Sequence, residues 1–416
     1  MIHQKRRQEL LSRLSKGAVV IVSTNSEQKR NSDVCYPFRP DSNFWYLTGF
    51  EEPDAIAVFS EKNYSVFLRP KDETKEIWNG VRMGVDLAPK NLLANQAFDI
   101  DKFFEKIDSL INKKSVIYFD APGNGGWKDN SSTNFHNHKI NSIYESVLQP
   151  LNPHISEMRL IKDKNEVNNM QEAANIAADA HLKAMQSSQP GLFEYQITAG
   201  FDSNFRKRNS DHAYPPIVAS GENACILHYT ENNKELKDGD LILIDAGCEI
   251  NGYASDITRT FPINGKFTDA QKEIYEIVLN AQKAAIASIK PGASSNLPHE
   301  IASEIITKGL IKLGIMETPA DLSKFYMHNT GHWLGLDVHD VGSKLVENKF
   351  REFISGMVTT VEPGIYIRKD DRIDSKYWGI GIRIEDDVLV TESGNHVLSE
   401  KAIKDIDAIE HFMSEA

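Results

Sequence analysis

Between Gly17 and about Leu151, short runs of aliphatic and β-branched residues (GAVVIVST, AIAVFSE, YSVFLRP, SVIYFD) alternate with stretches of helical periodicity. That alternation is the pattern of an α/β domain. Ahead of it, MIHQKRRQELLSRLSKG predicts a first helix, because its basic start is not followed by the apolar core of a secretory signal. The polar run GNGGWKDNSSTNFHNH, residues 123–138, predicts a surface loop, and its His136 and His138 read as a solvated pair with no third ligand nearby. The two prolines and the charge cluster of LQPLNPHISEMRLIKDKNE predict a linker near residues 150–162.

Beyond the linker the pattern repeats itself. Asp163 and Glu166 have capping-box spacing, and Val167, Met170, Ala174, Ala177 and Ala184 form a helical stripe that Pro190-Gly191 stops. Thr268 and Gln271 open a second such helix, striped by Ile274, Ile277, Val278, Ala281 and Ala285 and closed by Pro291-Gly292. The strands echo as well. Gly239, Asp245 and Gly247 in DGDLILIDAG recur at the same intervals as Gly356, Glu362 and Gly364 in SGMVTTVEPG. Two related halves follow, each a helical layer leading to strands that carry acids toward a shared interface.

Those acids carry the chemistry. In LILIDAGCEINGYASDITRTFP, Asn251-Gly252 signals a hairpin, so the strands bearing Asp245 and Asp256 run antiparallel. Asp245 then lies opposite Thr258 and diagonal to Asp256, or directly opposite Asp256 if the turn centres one residue earlier. Either register sets both acids on one face within roughly 5 to 8 Å, where uncompensated carboxylates repel or take up a proton. A cation resolves this; solvation or pairing with Arg259 is the alternative. Against that alternative, Asp245 ends the apolar run LILI, where an unpaired charge is costly. Glu362 matches Asp245 in the second half, and the alternating strand GIGIRIEDDVLV sets Glu385 among apolar residues. Between the pairs, HNTGHWLGLDVHDVG (328–342) brings three histidines, with His332 flanked by Gly331 and Trp333.

Four carboxylates and one neutral histidine sum to about −4, which two divalent cations cancel, and two-metal sites commonly bridge ions about 3.5 to 4 Å apart. Oxygen-rich ligation without thiolate favours manganese, or other hard to borderline ions, over a structural zinc. Cys35, Cys225 and Cys248 are scattered, which excludes a cysteine cage and fits a reducing compartment. A net charge of −12 disfavours nucleic acid. No apolar run reaches the roughly 18 residues of a membrane helix, and the length suits two domains.

Taken in order, LIDAG, ASDITRTFP, TGHWLGLDVHDVG, TVEPGIYI and GIRIEDDVLV resemble the creatinase/aminopeptidase "pita-bread" metallopeptidases. The first-domain segment FRPDSNFWYLTGFEEPDAIAVF is similar to their Xaa-Pro aminopeptidase (aminopeptidase P) branch. The resemblance implies an α/β creatinase-type N-terminal domain over 1–160 and an α+β pita-bread catalytic domain with a pseudo-twofold repeat over 161–416. It implies Asp245, Asp256, His332, Glu362 and Glu385 as ligands of two divalent ions, usually Mn²⁺. His228, His328, His339, Tyr366 and Arg383 match residues that line the substrate pocket or support it.

The implied reaction removes the N-terminal residue from peptides with proline second, through a hydroxide bridging the two metals. Glu362 would move its proton, His339 and His228 would donate hydrogen bonds to the developing charge, and Arg383 would hold a ligand carboxylate. The first domain would cover the cleft and build a cytoplasmic homodimer or homotetramer, with Trp78 either reaching a neighbouring site or serving as a core or interface residue. Within the same fold the alternative is a prolidase, confined to Xaa-Pro dipeptides. A methionine aminopeptidase has no need of the first 150 residues, and a non-catalytic binding protein has no need of five intact ligands.

Overall fold

The computed structural model describes residues 2–111, 116–120 and 148–415. The run 123–138, with His136 and His138, lies outside them. The chain divides into two compact units, Met1–Met158 and Arg159–Ala416. Among the described residues no helix is long and apolar enough to cross a membrane.

The basic start of the first unit forms helix α1 (Ile2–Ser12). It leads to strand β1 (Val19–Ser23), helix α2 (Ser42–Thr48), strands β2 (Ile56–Phe59) and β3 (Tyr64–Leu68), and the short helix α3 (Glu73–Asn79). With β4 (Gln96–Asp99), β5 (Ile117–Asp120) and β6 (Leu148–Pro150), the strands make one six-stranded mixed sheet ordered β4-β3-β2-β1-β5-β6. Strands β1, β2 and β3 are buried throughout, which explains why they read as continuous apolar runs. Arg6 and Arg7 of α1 donate to the carbonyls of Tyr46 and Leu47, so two cations satisfy the open C-terminal end of α2.

The stretch with linker composition instead carries helix α4 (Asn152–Leu160). Pro150 ends β6 and Pro153 sits in the first helical turn, where a missing N–H leaves nothing unpaired.

The second unit opens on α5 (Lys164–Ser187), with the Asp163/Glu166 capping box in place. Its buried face is largely alanine, which lets neighbouring elements approach closely. Helix α6 (Glu194–Arg206) and the short strands β7 (Asp211–His212) and β8 (Ile217–Ser220) follow. Strand β9 (Leu241–Asp245) pairs antiparallel with both β8 and β12 (Thr258–Pro262). Between them β10 (Cys248–Ile250) and β11 (Tyr253–Ala254) turn at Asn251-Gly252, both in the left-handed region at φ 52° and 80°. The register sets Asp245 opposite Thr258, the first of the two alignments above.

The second half repeats the plan. Helix α7 (Asp269–Ser288) carries the Thr268/Gln271 capping box and is followed by α8 (Leu297–Lys312). Strands β13 (Val358–Val361) and β14 (Gly364–Ile367) then pair with β16 (Asp386–Val390) and β15 (Ile380–Arg383) respectively. Gly239 and Gly356, which precede the two acid-bearing strands, both have positive φ, at 82° and 93°. The two halves share one apolar core that runs from Ile242 and Phe261 to Ile365 and Ile382.

Candidate metal centre

The ends of these strands converge. Thr258 Oγ1 donates to Glu385 Oε2 at 2.7 Å, the Glu385 amide donates to the Thr258 carbonyl, and Thr260 Oγ1 donates to the Arg383 carbonyl. The strand after Asp256 is thereby stitched to the strand before Glu385. On the other side, the loop 328–342 lies along β13. The amides of Thr360 and Glu362 donate to the carbonyls of His332 and Thr330, which sets His332 beside Glu362. That approach needs Gly331, since a methyl group there would stand 2.0 Å from the Thr360 carbonyl oxygen.

The result is a cavity of about 260 Å³ lined by Asp245, Asp256, His332, Glu362 and Glu385, together with His228, His328, His339 and Arg383. Ligand atoms of Asp256, His332 and Glu385 lie within 4.8 Å of one another. Glu362 Oε1 is 3.7 Å from His332 Nε2. Asp245 faces the same space, but its Oδ2 is held at 2.7 Å by Arg383, which reaches Glu385 only through Thr258. Tyr366 does not line the cavity. It is fully buried, accepting from Arg383 Nη1 at 3.0 Å and pairing its hydroxyl with His328 Nε2 at 2.8 Å. Arg259 serves neither aspartate; it pairs with Asp386 behind the site at 2.7 Å.

The electrostatics ask for positive charge. Burial and the Asp245 charge raise the Asp256 pKa, although His332 opposes the shift. Burial and the charges of Asp256 and Glu362 raise Glu385 well above the usual carboxylate range. Burial lifts Glu362 to about 7 against the pull of His332 and Arg383. His332 is displaced to about 9: burial lowers it, but the hydrogen bond and charge of Asp256, with Glu362, outweigh that. Four carboxylates thus crowd a space in which Arg383 is the one fixed cation among the lining residues. Divalent cations fit this donor set. His332 Nδ1 is 3.0 Å from the Trp333 carbonyl, which orients the ring so that Nε2 faces the acids.

Around this centre His328 is held neutral, its pKa lowered to about 4 by burial and by Arg383. His339 stands edge-on to His332 with centroids 4.2 Å apart, its pKa lowered by burial and by His332. The segment carrying His228 is pinned from below. The wholly buried Glu194 carboxylate accepts from Ser220, Asn223, Tyr229 and the Lys234 amide. The loop carrying His339 is pinned likewise, because Asp340 is enclosed and paired with Arg159 at 2.6 Å and Lys162 at 3.0 Å.

Three neighbours were not legible in the sequence. Tyr214 puts its hydroxyl between Asp245 and Asp256, at 2.6 Å from each. Asp387 accepts from the Asp256 amide, and Asp386 anchors Arg259. A tyrosine ahead of Pro215-Pro216 reads only as a turn.

The chain resembles known proteins over its whole length. Residues 168–392 match the model of metallopeptidase family M24, and residues 3–118 match the aminopeptidase P N-terminal domain. A Xaa-Pro aminopeptidase of Haemophilus influenzae is 44% identical over 99% of this chain and 96% of its own. The structure of the Pseudomonas aeruginosa aminopeptidase PepP superposes with a TM-score of 0.93 at 40% identity, covering 100% of this chain and 99% of that one. The E. coli aminopeptidase P with the inhibitor Pro-Leu gives 0.92 at 39%, covering 100% and 98%. With an aminopeptidase P N-terminal domain ahead of four acids and a histidine that line one cavity, the chain belongs to metallopeptidase family M24.

Proposed function

We propose that this chain removes the N-terminal residue from peptides whose second residue is proline, using divalent metal held by Asp245, Asp256, His332, Glu362 and Glu385. The observation that carries the reading is the convergence of these five residues on one cavity. The likeness to Xaa-Pro aminopeptidases over nearly the full chain supports the proline specificity. Two ions per chain answer the charge of four carboxylates, and the oxygen-rich donors favour Mn²⁺. When bound, such ions supply an acidified attacking water and a polarised carbonyl.

The chain's own residues do the rest. Glu362 takes the proton of the attacking water and returns it toward the leaving proline nitrogen. His339 and His228 donate hydrogen bonds to the developing oxyanion or the leaving nitrogen. His328 contacts the substrate, with its ring fixed by Tyr366, and Arg383 steadies Asp245. The free amine of the substrate is drawn to the acids, which confines cleavage to the chain end.

Residues 1–160 serve assembly and cover the cleft, and residues 161–416 carry the chemistry. Ile77, Trp78 and Val81 are more than 80% exposed, an apolar group suited to burial in a homodimer or homotetramer, where Trp78 either reaches a neighbouring site or packs in the interface. A cytoplasmic location suits the free, scattered cysteines.

The test is hydrolysis of Gly-Pro-Ala by metal-stripped protein with and without Mn²⁺, following free glycine beside a Gly-Pro control. Manganese-dependent cleavage of the tripeptide is the expected result. Cleavage of the dipeptide alone would convert the reading to a prolidase, and cleavage of neither by metal-loaded protein would overturn it.

A further inference from the structure

The two aspartates of the centre, Asp245 and Asp256, share one partner, Tyr214. Tyr214 stands between β7 and β8, with the Ala213 amide before it bonded to the Gly247 carbonyl. Its ring passes over Gly247. A methyl group at that position would come within 3.0 Å of the ring, and within 1.8 Å of the Ser255 carbonyl oxygen on the facing strand. The residue as a whole is half-buried, but its hydroxyl end is enclosed among carboxylates.

We infer that Tyr214 is the positioning residue of the aspartate pair: one phenolic oxygen, 2.6 Å from Oδ1 of both Asp245 and Asp256, fixes how the two carboxylates face the cations and thereby sets metal affinity. The inference rests on the metal site proposed above.

The geometry divides the four oxygens between partners. Asp245 Oδ2 belongs to Arg383 at 2.7 Å. Asp256 Oδ2 faces His332 Nε2 at 3.4 Å. The remaining Oδ1 of each lies against the Tyr214 hydroxyl, so rotation of either carboxylate about its Cβ–Cγ bond takes an oxygen away from a placed partner. A hydroxyl has one proton and donates to one carboxylate at a time. Both Oδ1 atoms lie 2.6 Å from that one oxygen, so its proton can turn to either and the two carboxylates meet at a single point, close enough to serve neighbouring ions.

A phenylalanine keeps the ring over Gly247 and removes only the donor. Partners that orient metal-binding carboxylates are commonly worth about 10- to 100-fold in metal affinity. The experiment is calorimetric titration of the metal-stripped full chain with Mn²⁺, wild type against Tyr214→Phe, with thermal unfolding of both metal-free proteins as a folding control. The visible ligand-field spectrum of the Co²⁺-loaded forms gives a second readout, which a purely structural role would leave unmoved. The expected result is a metal-free Tm close to wild type, Mn²⁺ affinity weaker by about 10- to 100-fold, and a shifted Co²⁺ spectrum. Equal affinity with an unchanged spectrum would overturn the inference. So would a variant that fails to fold without metal, since Tyr214 would then serve stability alone. A wild-type chain that binds no divalent ion would instead sink the metal site itself.

Discussion

Nη1 of Arg259 donates a 2.6 Å hydrogen bond to the carbonyl oxygen of Glu385, directly behind the carboxylate that faces the cavity. Its Nη2 pairs with Asp386 at 2.7 Å, and its Nε reaches the carbonyls of Ala402 and Ile403. Arg259 and Asp386 are both wholly buried, and Lys404, Gln282 and Ser399 complete the shell around the acid. The metal-facing strand is thus backed by a dry ion pair whose donors and acceptors have partners.

Removing Arg259 leaves Asp386 to Lys404 and takes a donor from the carbonyls of Glu385 and Ala402. Arg259→Met should destabilise the metal-free chain by about 1 to 3 kcal/mol, the usual cost of leaving buried hydrogen-bonding groups unsatisfied. Urea unfolding of the metal-free proteins measures it. A loss below about 1 kcal/mol, the range of an exposed pair, would mean that solvent reaches Asp386.

Metal-free stability should fall as pH rises from about 6.5 to about 9. Glu362 is lifted from the ordinary 4.5 to about 7, so across that window the folded chain holds a proton the unfolded chain has lost. His332, raised from 6.5 to about 9, acts in the same direction: its contribution is full below 6.5 and is lost through about 9. His181 and His328, both lowered from 6.5 to about 4, and Asp340 and Asp386, both held below the ordinary 3.8, act in the opposite direction but below pH 6.5. Divalent ions take the place of these protons. The Tm gain on adding Mn²⁺ should therefore widen between about pH 5 and pH 9. A gain that is constant or shrinks over this range would contradict the charge arrangement.

His339→Ala should retain metal and lose turnover. A positioned hydrogen-bonding or proton-transfer group typically contributes about 10²- to 10⁴-fold, and the loss should appear in kcat at normal metal content. Wild-type kcat would remove His339 from the mechanism.

Trp78→Ala tests assembly. If the exposed group Ile77, Trp78 and Val81 is an oligomer contact, sedimentation should show a shift toward smaller species and activity should fall with it. Full activity with unchanged sedimentation would leave Trp78 a surface residue with no part in either.

Much of this architecture can be read from one sequence because the informative residues obey local rules. The Asn251-Gly252 turn fixes the register that sets Asp245 opposite Thr258. Capping boxes at Asp163 and Thr268 mark the helices. Alternation in IEDDV assigns opposite faces to Asp386 and its neighbours, but it does not say that Asp386 turns back to Arg259 or that Asp387 caps the Asp256 amide. Those contacts join residues more than a hundred positions apart. Tyr214 escapes for the same reason, since its partners lie 31 and 42 residues away with no periodicity linking them. Pro150 and Pro153 mislead in the other direction: a proline in a first helical turn looks, in sequence, like a break.

The enclosure of Asp340 by Arg159 and Lys162 bears on how the catalytic half can be cut out and studied alone. Both cations precede residue 168, where the match to the catalytic family begins. A shortened chain that starts there would satisfy the family's boundaries yet leave Asp340 as a sealed anion beneath His339 with neither counter-charge. Its loop would be the first part to loosen. A fragment beginning at or before Arg159 keeps that anchor, so the useful dissection point is set by an ion pair rather than by the edge of sequence similarity.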